Sequence, residues 1–221
     1  MPSGAQRIAL PAVRLHAIID TPSINLASAR GEFAMSTPRK VGVFVGSLRK
    51  DSLNRKMAHA LAALAPPSLQ LGIIEIRDLP HYDADAETDT PPAAWVAFRA
   101  AVRAVDALLF VTPEYNRSVP GALKNALDVG SRPYGKSVFG GKPGAVVSVS
   151  PGALGAYGAN HHLRQSMVFL NVPMLQQPEM YIGNAAAMFD AQGALANEAS
   201  AEFLKKFLHA FEAWIERNAP R

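Results

Sequence analysis

The chain has 221 residues, 49% of them hydrophobic and 18% charged, with a formal net charge of +4, enough to bury a full core in one domain of ordinary size. It contains no cysteine, which excludes disulfides, thiolate metal sites, iron–sulfur clusters and thiol nucleophiles. The mild positive charge suits an anionic ligand; without a dense Lys/Arg stripe it does not argue for nucleic acid, and no apolar run is long enough to span a membrane.

Residues 1–34 show no sustained period of 2 or 3.6 and read as a disordered or non-native extension. Leu15 to Ile19 is too short for a signal-peptide core and contains His16, so a cytoplasmic protein is expected, with a working domain over 35–221. The apolar run Val41–Val45 predicts a strand buried on both faces. A polar loop, 46–54, leads into a helix to Leu64, stopped by Pro66-Pro67. A second strand is expected over Leu69–Ile76, and a helix carrying Trp95, Phe98, Val102 and Val105 after Thr90-Pro91-Pro92. Asp106–Thr112 predicts a third strand, and Val119-Pro120-Gly121 opens a helix with Leu123, Leu127 and Val129. A fourth strand, Pro143–Val149, ends in Ser150-Pro151-Gly152. A helix is expected around Leu163–Leu170, a short fifth strand near Val172–Leu175, and a last helix over Glu198–Arg217. There Phe203, Phe207, Phe211 and Ile215 fall four apart on what should be one buried face.

Strands alternating with helices imply an α/β three-layer sandwich, and five strands match the flavodoxin-like parallel order 2-1-3-4-5. Ligands in such sheets sit at the carboxyl ends of the strands, here the loops 46–54, 112–118 and 148–158. In the first loop, Gly46 permits a sharp turn, and Ser47, Arg49, Ser52 and Asn54 precede a helix. Hydroxyls, a guanidinium and free N–H groups at the positive end of a helix make an anion cradle. The loop lacks Gly-x-Gly-x-x-Gly and Gly-Lys-Ser/Thr, which removes the dinucleotide and Walker motifs; no acidic residue ends the first strand, which removes a receiver. In the second loop, Tyr115 offers a face for a planar ring and Asn116 an amide for its carbonyls. Alone, Tyr115 could be an ordinary loop aromatic, Glu114 a solvated acid and Lys124 a helix-surface cation; beside the first loop, the ligand reading is stronger.

Gly46-Ser47-Leu48-Arg49-Lys50-Asp51-Ser52-Leu53-Asn54, and Pro113-Glu114-Tyr115-Asn116 with Pro120-Gly121-Ala122-Leu123-Lys124-Asn125, resemble the NADPH-dependent FMN reductase family. The likeness is to its bacterial chromate/quinone/azo reductase branch and runs from about Lys40 to Trp214, through Gly141-Lys142-Pro143 and His162-Leu163-Arg164-Gln165. The resemblance implies FMN as cofactor. Ser47, Arg49, Ser52 and Asn54, with Leu53 among them, would hold its phosphate. Pro113, Glu114, Tyr115 and Asn116 would line its ring, and Ser150, Pro151 and Gly152 would close the far side. It implies NADPH or NADH as donor, quinone, flavin, azo or chromate-type small-molecule acceptors, and a homodimer or homotetramer with the flavin near a subunit boundary, where Arg117 and Tyr157 are variable points. Chemistry carried by FMN needs no catalytic side chain and no metal. The alternatives are a non-enzymatic flavodoxin-type electron carrier and a flavodoxin-like module that binds no flavin.

Other signals carry less. His161 and His162 are adjacent, so on a helix they diverge and read as core or interface residues. Asp83, Asp85, Glu87 and Asp89 read as a solvated loop, lacking the glycine and glutamate of a calcium loop. Met167, Phe169, Phe203 and Phe207 read as core packing.

Overall fold

A computed structural model describes residues 37–219; the extension over 1–34 and the expected start at Met35 lie outside the described residues. Strands β1 (Arg39–Val45), β2 (Leu69–Ile73), β3 (Ala107–Thr112), β4 (Gly144–Val149) and β5 (Met180–Ile182) form one parallel sheet in the order β2-β1-β3-β4-β5. Helices α1 (Leu53–Leu64) and α5 (Glu198–Asn218) share one core, and α2 (Ala93–Arg103), α3 (Gly121–Gly130) and α4 (Tyr157–Phe169) the other. Alternation along the strands builds both cores. Val43 and Val45 pack with Met57, Leu61, Phe207 and Phe211, while Phe44, between them, packs with Phe110, Trp95 and Leu163. Phe44 and Phe110 stack at 5.1 Å between centroids. Every residue of β3 and β4 is buried, as a sheet covered on both faces requires.

Several expectations are corrected. The second strand ends at Ile73, three residues early: on an edge strand only one neighbour holds the chain, and Ile76 leaves to bury in the Trp95 core. The fifth strand is Met180–Ile182, not Val172–Leu175. Met174 makes a single bridge to Gly144, but Pro173 has no N–H to give the ladder, and pairing with β4 resumes only at Met180. Phe169 and Phe203 are not core; they are 75% and 44% exposed, whereas Met167 and Phe207 are buried. Residues four apart overshoot a full turn by about 40° per step on a helix of 3.6 residues per turn, so Phe203 has rotated away from the face that Ile215 buries. The acidic stretch is not wholly solvated. Arg99 donates to both Glu87 oxygens at 2.9 and 2.6 Å and to the Val129 carbonyl at 2.9 Å, in a nearly buried pair. His161 and His162 are exposed, not core: Nε2 of His161 lies 3.0 Å from the Tyr181 hydroxyl.

Candidate functional site

The carboxyl ends of β1, β3 and β4 deliver three loops to one edge of the sheet. The first is forced into a tight turn. A Cβ on Gly46 would lie 2.9 Å from Thr112 Oγ1 and 3.2 Å from Pro113 Cδ, so only glycine lets β1 turn this close to the end of β3. The turn delivers Ser52 as the N-cap of α1, its hydroxyl accepting from the Arg55 N–H at 3.2 Å. The N–H groups of Leu53 and Asn54 then have no intrahelical partner and stand at the positive end of α1. Ser47 and Ser52 are buried, and Arg49 is exposed with no acidic partner among the described residues. Arg77, which the sequence did not single out, donates to the Leu48 carbonyl and braces the turn from behind. Arg55 forks onto Glu75 at 2.8 Å to each oxygen, and this bond holds the Glu75 carboxyl below its ordinary range.

The second loop is a two-residue hairpin. Tyr115 and Ser118 exchange backbone bonds at 3.0 Å each, and Asn116 and Arg117 between them have φ of 51° and 64°. These values fit the left-handed two-residue turn of a hairpin, and α4 moors it. Glu114 Oε2 accepts from the Ala159 N–H at 3.1 Å, and Ser118 Oγ lies 3.0 Å from His162 Nδ1. Helix α4 begins at Tyr157, six residues before the expected Leu163, after Ala156 at φ 58°, with no capping side chain of its own. The carboxylate of Glu114 supplies the missing cap from another loop. A Cβ on Gly158 would come within 3.0 Å of Glu114 Oε2 and of the Arg117 carbonyl, so the approach depends on that glycine.

The third loop is held by a buried polar thread. Ser148 Oγ donates to the Gly155 carbonyl at 2.7 Å and accepts from Asn160 Nδ2 at 3.1 Å. Arg164 donates to Asn160 Oδ1 at 3.0 Å and to the Leu175 carbonyl at 2.9 Å. The His162-Leu163-Arg164-Gln165 stretch thus fixes two of the three loops.

Between the loops lies a cavity of about 250 Å³. It brings together Ser47, Arg49, Ser52, Leu53 and Asn54 from the first loop with Pro113, Glu114 and Tyr115 from the second, and with Ser150 from the third. Asn116 and Gly152 are outside its lining: Asn116 is spent on the hairpin turn, and the Gly152 N–H donates to Ser150 Oγ at 3.0 Å. Pro151 lines it beside Ser150, and Val149 lines it without having been singled out as a contact. Asn54 donates through Nδ2 to the Val149 carbonyl at 3.4 Å, and its buried Oδ1 has no partner. Two buried hydroxyls, a free guanidinium, free N–H groups at a helix start and an orphaned amide oxygen, facing a flat wall of Pro113 and Tyr115, fit a phosphate ester carrying hydroxyls and a planar ring. That is the chemical outline of FMN. A second cavity, of about 330 Å³, shares Arg49 and Tyr115 with the first and continues to Pro120, Gly121 and Ala122. Among the described residues, no group of three or more His, Asp or Glu is placed to hold a metal ion.

Residues 39–187 match the model of the NADPH-dependent FMN reductase family. A quinone reductase of Pseudomonas putida is 59% identical over 184 residues, 83% of this chain and 98% of that protein. A 2-hydroxy-1,4-benzoquinone reductase of a Burkholderia species is 47% identical over 176 residues, 80% of this chain and 96% of the other. Among solved structures, FerB of Paracoccus denitrificans, a flavoenzyme NAD(P)H:(acceptor) oxidoreductase, is 42% identical with a TM-score of 0.76, over 82% of this chain and 100% of FerB.

Proposed function

Because the chain belongs to the NADPH-dependent FMN reductase family, we propose that it reduces quinones at the expense of NADPH or NADH, with FMN held in the cavity between the three loops. The overall reaction is NAD(P)H + H⁺ + quinone → NAD(P)⁺ + hydroquinone. The names of relatives matched over nearly their whole length support the quinone. The observation that carries the cofactor placement is the single cavity that sets Ser47, Arg49 and Ser52 against Pro113 and Tyr115.

When bound, FMN supplies the two-electron relay between nicotinamide and quinone. The protein's part is to hold and orient. Ser47, Ser52, Arg49 and the N–H groups opening α1 bind the phosphate. The orphaned Oδ1 of Asn54 is an acceptor, so it suits a ribityl hydroxyl better than a phosphate oxygen, while its Nδ2 ties the cradle to β4. Pro113 and Tyr115 back the ring, and Ser150 closes the third side, Glu114 serving the loop more than the ligand. Tyr115 is 47% exposed, which leaves an open approach for each reactant in turn, and water at that opening supplies the proton without an acidic side chain. Flavins, azo compounds and chromate are expected as further acceptors of so open a site. A homodimer or homotetramer is supported by Val168 and Phe169 at the end of α4, 81% and 75% exposed. A cytoplasmic place accords with the absence, among the described residues, of any helix long and apolar enough to cross a membrane.

The test is an FMN titration followed by anaerobic stopped-flow. Quenching of flavin fluorescence on binding, bleaching of its visible absorption by NADPH and recovery of colour on adding a quinone are expected. Failure to bind FMN would overturn the cofactor placement. Bleaching without quinone-driven recovery would overturn the acceptor.

A further inference from the structure

We propose that Arg117 grips the 2′-phosphate of NADPH and so sets the preference between the two nicotinamide donors. This rests on the reading of the cavity as the flavin site and deepens it. Arg117 is the second residue of the hairpin turn and has φ of 64°, where glycine is at ease and a long side chain is strained. Among the described residues its one ionic neighbour is Glu114 Oε1, 3.7 Å away, and the side chain is 79% exposed. A pair so distant and wet returns little, and Glu114 is already committed to the Ala159 N–H. Among the described residues, no close contact explains a guanidinium at this tip.

Its position does. The hairpin closes on Tyr115, which lines both cavities, and Arg49 at their shared wall also lacks an acidic partner among the described residues. Arg117 lines neither cavity but follows Tyr115 by two residues, so a donor that enters by way of Tyr115 would carry its 2′-phosphate past this tip. The donors differ only in the 2′-phosphate, and an arginine fork is the side chain that matches phosphate oxygens and serves this purpose in dinucleotide sites.

The test compares the FMN-loaded wild type with Arg117→Gly and Arg117→Lys. The glycine variant fits the turn, so it folds and melts a few degrees higher. Its ratio of kcat/KM for NADPH over NADH falls about tenfold, and inhibition by 2′,5′-ADP, measured against NADPH, weakens by a similar factor. Lysine, a point charge without the fork, gives an intermediate ratio. An unchanged ratio with unchanged 2′,5′-ADP inhibition overturns the assignment, as does a fall of both donors in step. If the wild type oxidises neither donor, it is the underlying reading of the site that has failed.

Discussion

Gly46 shows how little freedom a single residue of the cradle has. Its hypothetical Cβ meets Thr112 Oγ1, Pro113 Cδ and Leu123 Cδ2 within 3.3 Å, so Gly46→Ala must push the cradle off the β3 loop. FMN affinity should fall by at least about tenfold, or 1.4 kcal/mol, as read by flavin fluorescence. Arg99 makes the opposite point, since its worth lies in what it would leave behind. Arg99→Ala strands Glu87 in a nearly buried place and should cost roughly 3–5 kcal/mol in urea denaturation. Arg99→Met combined with Glu87→Gln should recover much of that loss. Tyr181 carries a pH signature. Burial, and then the neighbouring Glu179 carboxylate, raise its phenol from 10.0 to about 12. The unfolded phenol ionises first, so its contribution to stability is complete below pH 10 and is lost as pH rises toward 12. Ultraviolet difference titration of the wild type against Tyr181→Phe should show the substitution removing an ionisation near pH 12. What was legible at this scale was local: Ser52 announces the start of α1 because the N–H it accepts from, that of Arg55, lies three residues on. Glu114 and Arg77 were not legible in that way, because the groups they hold, the Ala159 N–H and the Leu48 carbonyl, are set by the fold.

Among the elements, strands whose pattern is continuous were legible almost to the residue, β1, β3 and β4 above all, since burial on both faces leaves an unbroken apolar run. The fifth strand was not, because Val172 to Leu175 has the apolar character of a strand and fails only through Pro173, while Met180–Ile182 is three residues long. Helix α4 was anticipated in kind but not in extent. Nothing in Ala156-Tyr157-Gly158 signals a helix start, because the cap comes from Glu114. Glu114→Ala should therefore fray the first turn of α4 and cost about 1 kcal/mol, as loss of an N-cap does. Glu114→Gln keeps an acceptor oxygen and should cost less. Amide hydrogen exchange at Ala159 would separate the two.

At the scale of the molecule, the sheet order places β1 beside β3, so the proposed cradle and ring wall grow from neighbouring strands whose carboxyl-terminal residues are all buried. A ligand that binds only this folded arrangement stabilises it by mass action, and FMN at 100 times its dissociation constant should add about 2.7 kcal/mol to unfolding. The midpoint of thermal melting should rise with flavin concentration and stay put with riboflavin, which lacks the phosphate. The cap that Glu114 lends to α4 reaches further. A segment that takes its opening signal from elsewhere has no autonomy, so a synthetic peptide covering 150–170 should give the circular dichroism of a coil. Whatever loosens the rim beside Tyr115 must then unwind the start of an outer helix too, and the two should come apart in a single cooperative event.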